Sequence, residues 1–91
     1  MKTIYKYPLI IDDYQTLEMP QGAEILTIQI QKRIPCIWAL VNPKQPKQKR
    51  HIRIAGTGHS VNDKVIEYIG TYQLYGGDII FHVFEIDKGE G

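Results

Sequence analysis

Arg50-His51-Ile52-Arg53-Ile54-Ala55-Gly56-Thr57-Gly58-His59-Ser60 sets guanidinium, imidazole and hydroxyl groups beside two glycines, and these are the residue types that grip anions. Read as a strand running into a loop, the segment puts Ile52 and Ile54 on a buried face and His51, Arg53 and Ala55 on the other, which is expected to face open space. Gly56 and Gly58 can take positive φ and present N–H groups with no side chain in the way, while Thr57, His59 and Ser60 add donors. A guanidinium at Arg53 can hold two phosphate oxygens at once, with His51 and His59 donating alongside. The ligand class implied is a small phosphate-bearing molecule. A glycine-histidine loop is a weak motif alone, since glycines also build turns that bind nothing, and no Walker-type spacing points to nucleoside-triphosphate hydrolysis.

Other chemistries find less support. His51, His59 and His82 fall in three separate elements and the chain has one cysteine, so no metal-ligand spacing exists and no metal or cofactor is expected. Cys36 lies in the apolar run Ile34 to Val41 and reads as a small buried hydrophobe; Ser60 has no recognisable base or carboxylate motif around it. The site therefore reads as one that grips without reacting, and the protein as not an enzyme. His82 alternates with Ile80 and Phe84 and reads as a hydrogen-bonded histidine within a sheet, and Asp12-Asp13 as a turn or a short helix cap. Tyr68 and Tyr72 are expected to share a strand face with Gly70 between them, leaving a flat gap for a base, which adds Tyr72 to the candidate ligand set.

Composition sets the frame. The chain has 91 residues, 43% hydrophobic and 23% charged, which is the profile of one globular domain. So short a domain buries a modest core, and association into homo-oligomers is expected to help it. No run reaches the roughly 20 apolar residues of a membrane helix, and Met1 to Lys6 lacks a signal-peptide core, so a cytosolic protein without membrane contact is expected. Net charge is only +1, yet no acid occurs between Ile25 and Asn62, a span holding seven of the eleven basic residues: Lys32, Arg33, Lys44, Lys47, Lys49, Arg50 and Arg53. Such segregation creates a local positive potential that the net charge conceals, and it also suits docking on an acidic partner.

The elements that must position these residues are strands, because period-two patterning dominates and no amphipathic helix exceeds a turn or two. Lys2 to Tyr7 and Gln15 to Met19 read as edge strands. Glu24 to Gln31, with Leu26, Ile28 and Ile30 inward, turns at Lys32-Arg33 into Ile34 to Val41, which is apolar on both faces and belongs mid-sheet. Asn42 to Lys49 reads as a mobile basic loop holding two prolines. A strand from Arg50, a second from Val65 to Leu74 with a bulge or close approach at Gly70, and a third from Asp78 to Ile86 after a two-residue Gly76-Gly77 turn complete the chain, with a tail from Asp87 that should fray. The fold class is mainly β: an antiparallel six- to seven-stranded sandwich or small, partly open barrel.

Lys2-Thr3-Ile4-Tyr5-Lys6-Tyr7-Pro8-Leu9, Glu18-Met19-Pro20, Trp38-Ala39-Leu40-Val41, Ile54-Ala55-Gly56-Thr57-Gly58-His59, Tyr68-Ile69-Gly70-Thr71 and Phe81-His82-Val83-Phe84-Glu85 together resemble a family of small uncharacterised proteins carried by tailed phages and prophages. The similarity spans nearly the whole chain. It implies the cytosol of a bacterial host and, by analogy with other small phage proteins, a role in countering immunity by sequestering cyclic or ADP-ribose-type nucleotide signals. Two alternatives use the same cations differently: a protein-interaction module that inhibits a host defence or replication complex, and a nucleic-acid-binding domain.

Overall fold

The computed structural model describes residues 1–89 and arranges seven strands in two antiparallel sheets. Sheet A has the order β1-β4-β3, from β1 (Thr3–Pro8), β3 (Glu24–Gln31) and β4 (Ile34–Val41). Sheet B has the order β2-β5-β7-β6, from β2 (Tyr14–Pro20), β5 (Lys47–Gly56), β6 (Lys64–Leu74) and β7 (Ile79–Asp87). The sheets share no strand, so among the described residues they do not close into a barrel. β4 is central and β1 and β2 are edges, as their patterns predict.

The core lies between the sheets. Ile28, Ile37, Ala39 and Val41 of sheet A meet Met19, Ile52, Ile54, Tyr72 and Val83 of sheet B. Each fully buried aliphatic side chain contributes about 1.5–3 kcal/mol, set against the entropy of ordering the strands. β4 also buries Cys36 on its second face, as its two-sided apolar pattern requires.

Three connections decide the geometry. Lys32 and Arg33 take φ of 48° and 69° between the paired residues Gln31 and Ile34, making the expected two-residue hairpin turn from side chains that disfavour it. The link from β4 to β5 spans only residues 42–46. Lys47 to Lys49 are strand and not loop, because they pair with Pro20, Met19 and Glu18, and the prolines stop short of the ladder. Leu74 pairs with Ile79, so four residues join β6 to β7 instead of two, with Tyr75, Gly76 and Gly77 all at positive φ. At the C-terminus, Asp87 of β7 still pairs with Lys64 of β6 and the Gly89 N–H donates to its carboxylate; the rest of the expected frayed tail, residues 90–91, lies outside the described residues.

Bulges change which residues face inward. One at Leu26 in β3 leaves that side chain exposed, contrary to the alternation, while Ile25 and Ile28 pack inward. β6 has two, between Val65 and Glu67 and between Tyr68 and Gly70. The second reverses the strand's parity, so Tyr68 stands outside against Phe84 while Tyr72 is inside against Phe81. The shared face expected for the two tyrosines does not exist. Gly70 serves both roles expected of it, since a Cβ there would sit 2.6 Å from Ile28 Cγ2.

One ion pair crosses the inner side of sheet B. Arg50 donates through Nε and Nη2 to the two carboxylate oxygens of Glu85, and through Nη1 to the Ala23 carbonyl at 2.9 Å. Glu85 is 5% exposed.

Two outcomes test this packing. Gly70→Ala should lower the urea-unfolding free energy by about 1–3 kcal/mol, because β6 must retreat from Ile28. Glu85→Ala should cost less than the roughly 3–5 kcal/mol of a fully buried pair, because water reaches Arg50, and the double change Arg50→Met with Glu85→Leu should cost less still; equal losses would mean the pair's charge is irrelevant.

Candidate functional site

Along β5 side chains alternate as expected, but exposure does not follow. Arg53 lies on the outer face of sheet B and is only 8% exposed, and Ala55 beside it is buried. The cause is the segment after β5, which folds back across the face. Arg53 Nη2 donates to the Ser60 carbonyl at 3.1 Å and Nη1 to the Ile54 carbonyl at 2.9 Å, while Nε lies 3.2 Å from an Asp63 carboxylate oxygen. Asp13 approaches to 3.7 Å, and the Tyr14 ring stacks with its centroid 4.9 Å from the guanidinium carbon. Tyr14 donates its phenol to Asp63 at 3.0 Å, and that hydrogen bond holds the phenol's pKa above its ordinary value. The charge at Arg53 therefore faces two carboxylates and not open space, and a phosphate there would have to displace Asp63.

The other candidates divide into groups. Gly56 to His59 forms a closed turn, with the His59 N–H donating to the Gly56 carbonyl at 3.1 Å and Gly58 at φ 88°. Thr57, Gly58, His59 and Ser60 are exposed, and the His59 ring lies over Gly56. His51 sits five positions before Gly56 along β5, roughly 17 Å by strand rise. There Nδ1 is 3.0 Å from Thr16 Oγ1, and His51 lines a hollow of about 220 Å³ with Lys49 and Lys88. Tyr72 is on the opposite side of the sheet from all of them, in the core.

What sequence reasoning missed stands beside the turn. Thr57 Oγ1 is 2.7 Å from His82 Nε2, His82 Nδ1 is 3.0 Å from Thr71 Oγ1, and the Tyr68 phenol bonds to the same Thr71 oxygen. His82 of β7 pairs with Ala55 of β5 and Thr71 of β6, while Thr57 reaches His82 from the turn just after β5 and Tyr68 is brought into line by the bulge. The expected hydrogen-bonded His82 is thus the centre of a surface relay. Neutral imidazole donates at one nitrogen and accepts at the other, so in either proton arrangement one end of the relay, Thr57 or Tyr68, keeps a hydroxyl hydrogen to give away. Protonated imidazole would leave both. The period-two pattern of β7 exposed this possibility; the Thr57 and Thr71 partners needed the register of two further strands.

Among the described residues no three or more His, Cys, Asp or Glu gather into a metal-holding group, and no helix is long and apolar enough to cross a membrane. The Asp12-Asp13 pair lies in a bend and caps no helix, with the Asp13 N–H donating to the Asp12 carboxylate at 2.8 Å.

The fold is that of a small, two-sheet all-β domain whose polar relay lies on the outside of the larger sheet. The chain belongs to the family DUF7352, a domain of unknown function, whose family model matches residues 1–90. No curated protein and no solved structure matches it.

Tyr72 carries a test of its placement. Its hydroxyl makes no hydrogen bond among the described residues, and burial pushes its pKa up. The folded state thus prefers the neutral phenol; that preference is fully present below the unfolded value of about 10 and is lost as pH rises through the higher folded value. Tyr72→Phe should leave stability at neutral pH within about 1 kcal/mol and reduce the loss of stability above about pH 10, measured by urea melts at both pH values.

Proposed function

We propose that this sandwich-like domain is a non-enzymatic binder of a small phosphorylated nucleotide, held on the outer face of sheet B beside the Gly56–His59 turn. What supports the reading is the exposed relay Thr57–His82–Thr71–Tyr68, which ends in a hydroxyl on each side of a histidine, one of them free to donate. Thr57, His59 and the turn amides would meet phosphate oxygens, and the exposed ring of Tyr68, backed by Phe84 at 5.4 Å, would stack on a base. Arg53 takes a positioning role in this proposal, fixing the segment through Ser60 and Asp63, and Tyr72 takes none. His51 lies away from this group and would meet only an extended ligand. Such a face is shallow, and a second copy would complete it, in keeping with the expected homo-oligomer.

The finer proposal follows from the resemblance to phage-borne proteins: a host-cytosolic protein that sequesters an immune nucleotide signal. Sequestration needs retention without turnover; Thr57 stands within bonding reach of His82, but the partner on the other imidazole nitrogen is the Thr71 hydroxyl and not a carboxylate, which suits holding a ligand more than reacting with it. Calorimetry with cyclic dinucleotides and ADP-ribose derivatives should find one that binds, with Thr57→Val and His82→Ala each weakening it at least about tenfold, equivalent to about 1.4 kcal/mol. Well-folded protein that binds none of them would overturn the proposal.

A second reading, a protein-interaction module, draws on the outer face of sheet A. Ile4 is 57% exposed and Ile34 48%, beside half-buried Trp38 and Leu40, with Lys6 lying over Trp38. A host protein captured by wild type and by His82→Ala, but lost on Ile4→Glu with Ile34→Glu, would favour it over nucleotide binding.

A further inference from the structure

Arg50 and Arg53 are neutralised by Glu85 and by Asp13 with Asp63, which leaves Arg33 as the one of three arginines with no ion pair among the described residues. It stands at the mouth of a cleft of about 560 Å³, lined otherwise by Ile11, Ile30, Gln73, Leu74 and Tyr75. The cleft opens where the β1–β2 link, the β3–β4 turn and the β6–β7 connection come together. An adjoining hollow runs between the two edge strands β3 and β6, sharing Ile30 and Gln73 with it. The sheets are in contact at Gly70 and Ile28, and past that contact β3 and β6 are not hydrogen-bonded to each other.

We infer that this cleft binds an amphiphilic monocarboxylate, with an unbranched alkyl tail between the sheets and its carboxylate on Arg33. The volume falls within the roughly 300–1,000 Å³ of small-molecule sites, and an apolar wall with few polar groups is their usual lining. Its one charged lining residue is a guanidinium, whose fork of donors matches the two oxygens of a carboxylate, and no acid lines the cleft to occupy it first. Ile11 and Ile30 present aliphatic surface to the cleft while remaining exposed, so a tail has apolar area to cover. The rim is held in a disfavoured backbone: of the three non-glycine residues at positive φ, Lys32, Arg33 and Tyr75, two line the cleft. This inference uses none of the residues of the proposed nucleotide face, so either can fail alone.

Decanoate below its micelle concentration is the probe, with decanol as its uncharged counterpart. Calorimetry on the intact chain should show saturable decanoate binding, about tenfold weaker for octanoate because two buried methylenes are lost, and at least about tenfold weaker for decanol. Arg33→Gly removes the guanidinium at φ 69°, which glycine adopts without strain, so the variant stays folded; it should bind decanoate no better than decanol. Ile30→Trp should fill the cleft and abolish binding of both. Equal wild-type affinity for decanoate and decanol, decanoate binding that survives Ile30→Trp, or no saturable binding would overturn the inference. So would sedimentation showing a dimer that Ile30→Trp dissociates, since a second copy would then be the occupant.

Discussion

The pair formed by buried Glu85 and partly buried Arg50 constrains everything around it. A carboxylate in the interior is tolerable only when its acceptors are matched, and here all three named guanidinium donors of Arg50 are used, two on the carboxylate and one on the Ala23 carbonyl. Because Glu85 sits opposite Ile52 in the β5–β7 ladder, a slip of one residue would turn Arg50, Ile52 and Ile54 to the solvent face and leave the carboxylate alone inside. The third bond reaches Ala23 at the entry to β3, so the pair also ties sheet B to the corner where the chain crosses into sheet A. A hydrophobic replacement could match its stability; it would not specify register in the same way.

The charge asymmetry of the sequence takes a different meaning in three dimensions. The acid-free span from Ile25 to Asn62 looked like a source of positive potential, yet its two central arginines lie on β5, in contact with strands and loops drawn from the acidic flanks. Arg50 points inward to Glu85 from the C-terminal flank, and Arg53 points outward to Asp13 from the N-terminal flank and Asp63 from the C-terminal one. Segregation along the chain thus becomes pairing in the fold. The lysines keep their charge on the surface, and Lys49 faces Glu18 across the ladder.

Strand positions, the two edges, the central β4, buried Cys36 and the Lys32-Arg33 turn were legible because each follows from local alternation or local turn geometry. Bulges were not, since one extra residue leaves no mark in composition while reversing the face of everything beyond it. That is why Leu26 is exposed and why Tyr68 and Tyr72 part company across Gly70. Arg53 was placed on the correct face with the wrong surroundings. Its neighbours Asp13, Tyr14 and Asp63 are about 40 and 10 residues away in the chain, distances at which only the tertiary fold decides contact. The relay through His82 was half legible: alternation put the histidine in a sheet with a hydrogen-bonding duty, but its partners come from the turn after β5 and from β6.

Arg53 and His82 therefore exchange the roles their residue types suggest. A guanidinium is the stronger phosphate ligand, and the fold spends it on holding the segment from Ser60 to Asp63 against the sheet. Fixing that segment orders the Gly56–His59 turn immediately before it, and the turn in turn sets Thr57 against His82. The weaker donors, hydroxyl and imidazole, are the ones left at the surface. The proposed nucleotide site would rely on pre-organisation more than on charge. Its affinity for an anionic ligand should then depend less on salt than that of an exposed arginine cluster, because few counterions would be released from it.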